Sequence, residues 1–207
     1  MKINLLILMI VLSFQACKEN SYNSEEIIYK KNTSDIIKLS SDGIENKKAA
    51  EKYLYGLNYI KNEKYSQAKK EFLKADKIEP DNILILSSIA NVENKLGNST
   101  KSNRMLYELI SKDSTYVNLY INLGVNLNKL KKYQEAEKIF LRGMKYIENK
   151  EPIKKSSYFL SMAATYKGLS DCENMQIYAK KGLNSAQNDF LKNFAKSLIR
   201  YSKTDCK

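Results

Sequence analysis

The sequence contains no histidine, and its 207 residues include only two prolines and seven glycines. Without an imidazole, a His-based triad, a histidine proton shuttle and the usual kind of zinc site are excluded. So few Gly and Pro suit long helices and disfavour a turn-rich β fold. No glycine-rich phosphate loop, nucleophile–base pair or metal-ligand cluster can be picked out, so no catalytic residue, metal site or cofactor is expected, and the chain reads as a non-enzyme. Acidic residues are in deficit. Lys and Arg number 35 against 23 Asp and Glu, a formal net charge of +12. The length suits one domain with a sizeable core.

The longest apolar run stands at the N-terminus. Met1 to Ala16 reads MKINLLILMIVLSFQA, with one basic residue ahead of an apolar stretch from Ile3 to Leu12 that Asn4 interrupts. That stretch is shorter than the ~20 residues of a membrane-spanning helix and has the order of a secretory signal. Cys17 follows Ala16 directly, and SFQAC resembles the lipobox of bacterial lipoproteins, with Phe14 and Gln15 in place of the commoner Leu and Ser or Ala. The resemblance implies cleavage after residue 16, a diacylglycerol on the Cys17 thiol and a membrane-anchored, exported protein. Its expected place is the bacterial envelope, the outer membrane in preference to the inner, facing periplasm or cell surface. An ordinary signal peptide followed by an unmodified cysteine is the alternative. Acyl chains anchor firmly because each buried methylene contributes ~0.8 kcal/mol. Residues 17–43 are short and polar, the composition of a flexible tether.

Residues 44–207 carry a repeat. Gly56, Tyr65, Ala68 and Phe72 recur 68 residues later as Gly124, Tyr133, Ala136 and Phe140, and Ala90 stands midway between Gly56 and Gly124. The implied period is 34 residues, and KYSQAKKEFLKA from Lys64 parallels KYQEAEKIFLRG from Lys132. Small and aromatic residues at that period, with Pro80 closing the first unit, resemble the tetratricopeptide repeat. The resemblance covers residues 49–186 and implies an all-α, right-handed α-solenoid of about four helix–turn–helix units.

The second unit is degenerate, since Ser102 stands where the family prefers Ala and Glu93 replaces an aromatic. The third, from Tyr120 to Gly143, fits throughout. In the fourth, Ala163 follows Gly124 by 39 residues, so five are inserted, and Pro152 is expected to open its first helix. Phe190, Phe194, Leu198 and Tyr201 then form the packing face of a C-terminal capping helix, with Lys192, Lys196 and Arg200 facing outward.

With Cys17 lipidated, Cys172 and Cys206 remain as a pair. Cys172 opens the last repeat helix and Cys206 follows a capping helix that runs back antiparallel to it, so a disulfide between them is expected in an oxidising compartment. In the tetratricopeptide family the first helix of each unit lines a concave groove. The register places Tyr53, Leu57, Ile60, Ser87, Asn91, Asn94, Ile121, Asn122, Val125, Asn128, Leu160 and Lys167 there. Amides that bond a peptide backbone beside apolar pockets suit an extended polypeptide. Lys61, Lys95 and Lys129, 34 residues apart, make either a basic stripe or a solvated face. The expectation is a membrane-anchored interaction scaffold that binds an envelope protein or peptide in its groove. The alternative is a basic surface for an anionic polymer, lipid headgroup or nucleic acid, although export argues against nucleic acid. Oligomeric state is not readable.

Overall fold

The computed structural model describes residues 43–205. The signal segment, Cys17, nearly all of the tether and Cys206 lie outside them. The described residues form helices only: α1 Lys47–Lys61, α2 Tyr65–Ile78, α3 Ile83–Lys95, α4 Ser99–Lys112, α5 Val117–Lys129, α6 Tyr133–Gly143, a 3-10 turn Met144–Tyr146, α7 Pro152–Gly168, α8 Cys172–Asn184 and α9 Asp189–Thr204. Each helix packs on the next, and α3, α5, α7 and α9 also pack side by side in one row. The product is an α-solenoid of four helix pairs plus a terminal helix, as the 34-residue period predicts.

Local sequence starts and stops these helices. Asn46 and Asn82 cap α1 and α3, each Oδ1 accepting two backbone N–H bonds at 2.9–3.3 Å. Asp171 and Asn188 cap α8 and α9, each Oδ1 accepting one backbone N–H bond. Pro152 sits in the first turn of α7, where a missing N–H costs nothing. Inside each pair the turn is identical. Glu63, Gly97, Lys131 and Ser170 take positive φ of 56°, 89°, 58° and 59°. The next N–H then reaches back across the turn, Lys64 to the Tyr59 carbonyl, Asn98 to Glu93, Lys132 to Leu127 and Asp171 to Tyr166, each at 2.9 Å. This is the Schellman closure of a helix, which satisfies carbonyls that the last turn orphans.

Size complementarity locks the two helices of a pair. A Cβ at Gly56 would lie 2.3 Å from the Phe72 ring, and one at Gly124 the same distance from Phe140. In the second unit the corresponding residues are Ala90 and Leu106, and in the fourth Ala163 and Ala179, all fully buried. Gly faces Phe, whereas Ala faces something smaller.

The degenerate second unit is held by polar contacts. Glu93 is completely buried and paired with Lys69 at 2.9 Å and Lys101 at 2.7 Å, and it also accepts from Asn98 at 2.8 Å. Ser102 donates to the Ala90 carbonyl at 2.6 Å and accepts from Asn126 at 3.0 Å. Both departures from the family pattern therefore join neighbouring helices through hydrogen bonds.

In the fourth unit the insertion lengthens α7 at its N-terminal end, to 17 residues against 13 in α5. Its aromatic side chains carry their own contacts. Tyr158 donates to the Phe140 carbonyl, and its ring meets Phe140 edge-on at 5.3 Å. Burial pushes the Tyr158 phenol well above its ordinary value.

The capping helix departs from expectation. Ala195 and Leu198 are its buried residues, whereas Phe190 is 77% and Phe194 38% exposed. Lys196 and Arg200 do face solvent, but Lys192 is half-buried. The helix is rotated so that Ala195 and Leu198 meet α8 and α7, and among the described residues nothing follows to cover the Phe face.

Candidate functional site

The row α1, α3, α5, α7 and α9 forms one side of the solenoid, the concave side in the tetratricopeptide fold. The twelve groove residues read from sequence divide into two groups there. Tyr53, Ser87 and Leu160 are buried. Burial raises the Tyr53 phenol to about 12, partly offset by the Ser88 hydroxyl that donates to it at 3.1 Å. It is therefore a neutral packing group between α1 and α3.

Two groove amides are committed internally. Asn94 Oδ1 accepts from the Ser99 hydroxyl at 2.8 Å. Asn128 donates to the Ser161 carbonyl at 3.2 Å and accepts from Thr165 at 3.1 Å, tying α5 to α7. These residues build the groove wall.

The remainder is open. Leu57, Ile60, Asn91, Ile121, Asn122 and Val125 are half-exposed, and Lys167 is exposed. Neither the Asn91 nor the Asn122 amide hydrogen-bonds to another described residue. Two unengaged amides between half-exposed aliphatic residues leave donors and acceptors for an extended backbone, with apolar surface beside them.

The electrostatics of this row are predominantly basic. α5 and α7 contain no Asp or Glu, α3 contains only the buried, ion-paired Glu93, α1 contains only Glu51, and α9 contains only Asp189. Lys61, Lys95, Lys129 and Lys167 stand in the last turns of α1, α3, α5 and α7. There they complement the helix dipoles. Lys95 lies 5.9 Å from the centre of the Tyr65 ring, and Lys167 lies 4.0 Å from that of Tyr201.

Sequence reasoning missed one feature of the row. Between α7 and α9, Ser157, Leu160, Ser161, Phe190, Leu191 and Phe194 line an open surface cavity of about 230 Å³. Of these only Leu160 was expected in the groove. The available signal is a Phe at the start of an amphipathic helix, whose spacing predicts packing but whose ring the structure leaves exposed. Among the described residues no group of three His, Cys, Asp or Glu side chains could hold a metal, and no helix is long and apolar enough to cross a membrane.

Comparison with known proteins supports the fold. The structure is similar to that of a thermophilic TPR protein of Thermus thermophilus, at 16% identity over 76% of this chain and 84% of that one, with a TM-score of 0.66. It is also similar to YrrB, a TPR protein described as having an unusual peptide-binding site (18% identity, 83% and 88% covered, TM-score 0.54). A tetratricopeptide repeat protein of Parabacteroides merdae aligns at 12% identity over 77% of this chain and 62% of that one, with a TM-score of 0.55. No family model matches the sequence, and neither does any curated protein. The chain therefore has a tetratricopeptide-like fold, reached by a sequence far from these neighbours.

Proposed function

We propose that this protein is a lipid-anchored, non-catalytic scaffold of the bacterial envelope that binds an extended polypeptide along its inner row of helices. The observation that carries the binding role is the pair of unengaged amides, Asn91 and Asn122, among half-exposed Leu57, Ile60, Ile121 and Val125. Solvent-accessible amides that no neighbouring side chain or backbone group occupies can exchange water for a ligand backbone. Similarity to a TPR protein with a peptide-binding site agrees with this reading.

Anchoring rests on the sequence, through the signal-like Met1–Ala16 and the lipobox-like SFQAC ending at Cys17. The pairing of Cys172 with Cys206 belongs to the same proposal, because it requires an oxidising compartment. Gln176, one turn into α8, donates to Ser202 near the end of α9 at 3.4 Å, so Cys206 follows a segment that ends beside Cys172.

The test is affinity purification of the full chain from crosslinked envelopes, with Asn91→Ala/Asn122→Ala and Cys17→Ser alongside. A stoichiometric partner retained by the native chain and lost from the double variant is expected. Cys17→Ser should move the protein from the membrane to the soluble fraction. A partner held equally by the double variant would place binding elsewhere, and a Cys17→Ser chain still in the membrane would remove the lipid anchor.

A further inference from the structure

The groove residues explain how a backbone could be held, but not what selects one polypeptide over another. Two observations bear on that. The first is the cavity between α7 and α9, lined by Leu160, Phe190, Leu191 and Phe194 together with Ser157 and Ser161. It has room for one large apolar side chain. Phe190 is the most exposed large apolar residue described, at 77%. Water is a poor neighbour for a ring of that size, and covering it favours association.

The second observation is charge. The α5 and α7 helices carry no carboxylate, α9 carries Asp189 beside Phe190 but also Lys192, Lys196, Arg200 and Lys203, and the last turns of α5 and α7 carry Lys129 and Lys167. The bond from Asn128 to the Ser161 carbonyl fixes the C-terminal end of α5, and with it Lys129, against the cavity's own helix. Lys167 lies six residues beyond Ser161 on α7, about 9 Å along the helix. Acidic side chains are more numerous on the other row, with Glu71 and Asp76 on α2, Glu108 on α4, Glu135 and Glu137 on α6 and Glu173 on α8. The apolar cavity thus opens on the basic side of the molecule.

Resting on the groove reading above, we propose that the occupant is an acidic segment of another protein. One large apolar side chain of that segment, aromatic or branched aliphatic, enters the α7–α9 cavity, and its carboxylates meet Lys129 and Lys167. The C-terminal helix is then part of the recognition surface as well as the end of the solenoid. The cavity fixes the register of the bound segment, and the lysines select its charge and accelerate encounter. A basic or uniformly polar segment finds no complement in either feature.

The probe is a random-peptide library displayed on phage and selected against the full chain. The top selected peptide is then titrated by fluorescence anisotropy against the native chain, Phe190→Ala, Lys129→Glu/Lys167→Glu and Asn91→Ala/Asn122→Ala. The expected consensus holds several Asp or Glu around one large apolar residue. Phe190→Ala should weaken that peptide about tenfold or more, with an unchanged melting temperature because the ring is exposed. Charge reversal should weaken it further at low salt than at high salt.

A consensus without acidic residues, or without an apolar one, overturns the proposal, as does a library that yields no consensus. If Asn91→Ala/Asn122→Ala abolishes binding and Phe190→Ala does not, the groove reading stands and the cavity falls. If neither variant matters, both fall. Concentration-dependent self-association lost in Phe190→Ala would make the occupant a second copy of this chain, and binding of anionic vesicles without peptide would make it a lipid surface. Either result overturns the proposal.

Discussion

Glu93 shows how a single residue can replace a consensus aromatic without loss of order. Burial alone would raise its pKa, but hydrogen bonds from Lys101, Lys69 and Asn98 outweigh that and bring it from 4.5 down to about 2. Because the folded value is the lower one, the cluster stabilises the fold fully above the unfolded pKa and loses that contribution as pH falls from about 4.5 to about 2. A shift of that size corresponds to on the order of 3 kcal/mol. Glu93→Gln should therefore lower stability in denaturant titrations at pH 7 by a comparable amount, with the gap to the native chain shrinking towards pH 2. An equal gap at both ends of that range would show that the carboxylate's charge is irrelevant. From sequence, Glu93 looked like a defect in the repeat. Only the placement of Lys69 on one flanking helix and Lys101 on the other identifies it as a clamp.

At the scale of elements, the helix pair is the unit, and its lock is the Gly–Phe contact. Gly124→Ala gains ~1 kcal/mol of helix propensity but drives a methyl into the fully buried Phe140 ring. Overpacking of that kind costs ~1–3 kcal/mol, so a net loss is expected by thermal unfolding. Adding Phe140→Leu recreates the Ala90–Leu106 arrangement of the second unit, so the double variant should be more stable than the sum of its single changes by ~1 kcal/mol. Strict additivity would mean that the two side chains do not limit each other. The positions of these pairs are legible from the period, and the structure adds that one backbone geometry repeats in the turns at Glu63, Gly97, Lys131 and Ser170. The face of α9 was not legible. The Phe190, Phe194, Leu198 and Tyr201 spacing defines an apolar stripe, but which part of a stripe is covered depends on the helices that lie against it. Here α7 and α8 cover Ala195 and Leu198 and leave the two Phe rings beside a cavity.

In the whole molecule, each helix pair touches only its neighbours, so the buried residues fall into two clusters along the axis rather than one centre. The ends of such an array have one neighbour fewer and open most readily. A staple between Cys172 and Cys206 would hold the C-terminal end closed, and a loop of that size typically contributes ~3 kcal/mol. Cys172→Ser is expected to lower the melting temperature under oxidising conditions and to have no effect once the native chain is reduced. Mass spectrometry of the unreduced protein showing both thiols free would dispose of the bridge. The sequence by itself determined the all-helical class, the period, the number of units and the row of each helix, because those follow from spacing along one chain. It also held the excess of basic charge and the lipobox-like N-terminus. The tertiary structure decided which groove side chains are spent on packing and which remain open, and it brought α9 beside α7 to make the apolar cavity. Those outcomes depend on residues far apart in sequence, such as Asn128 bonded to Ser161 and Leu160 lining one cavity with Phe190, which no local pattern encodes.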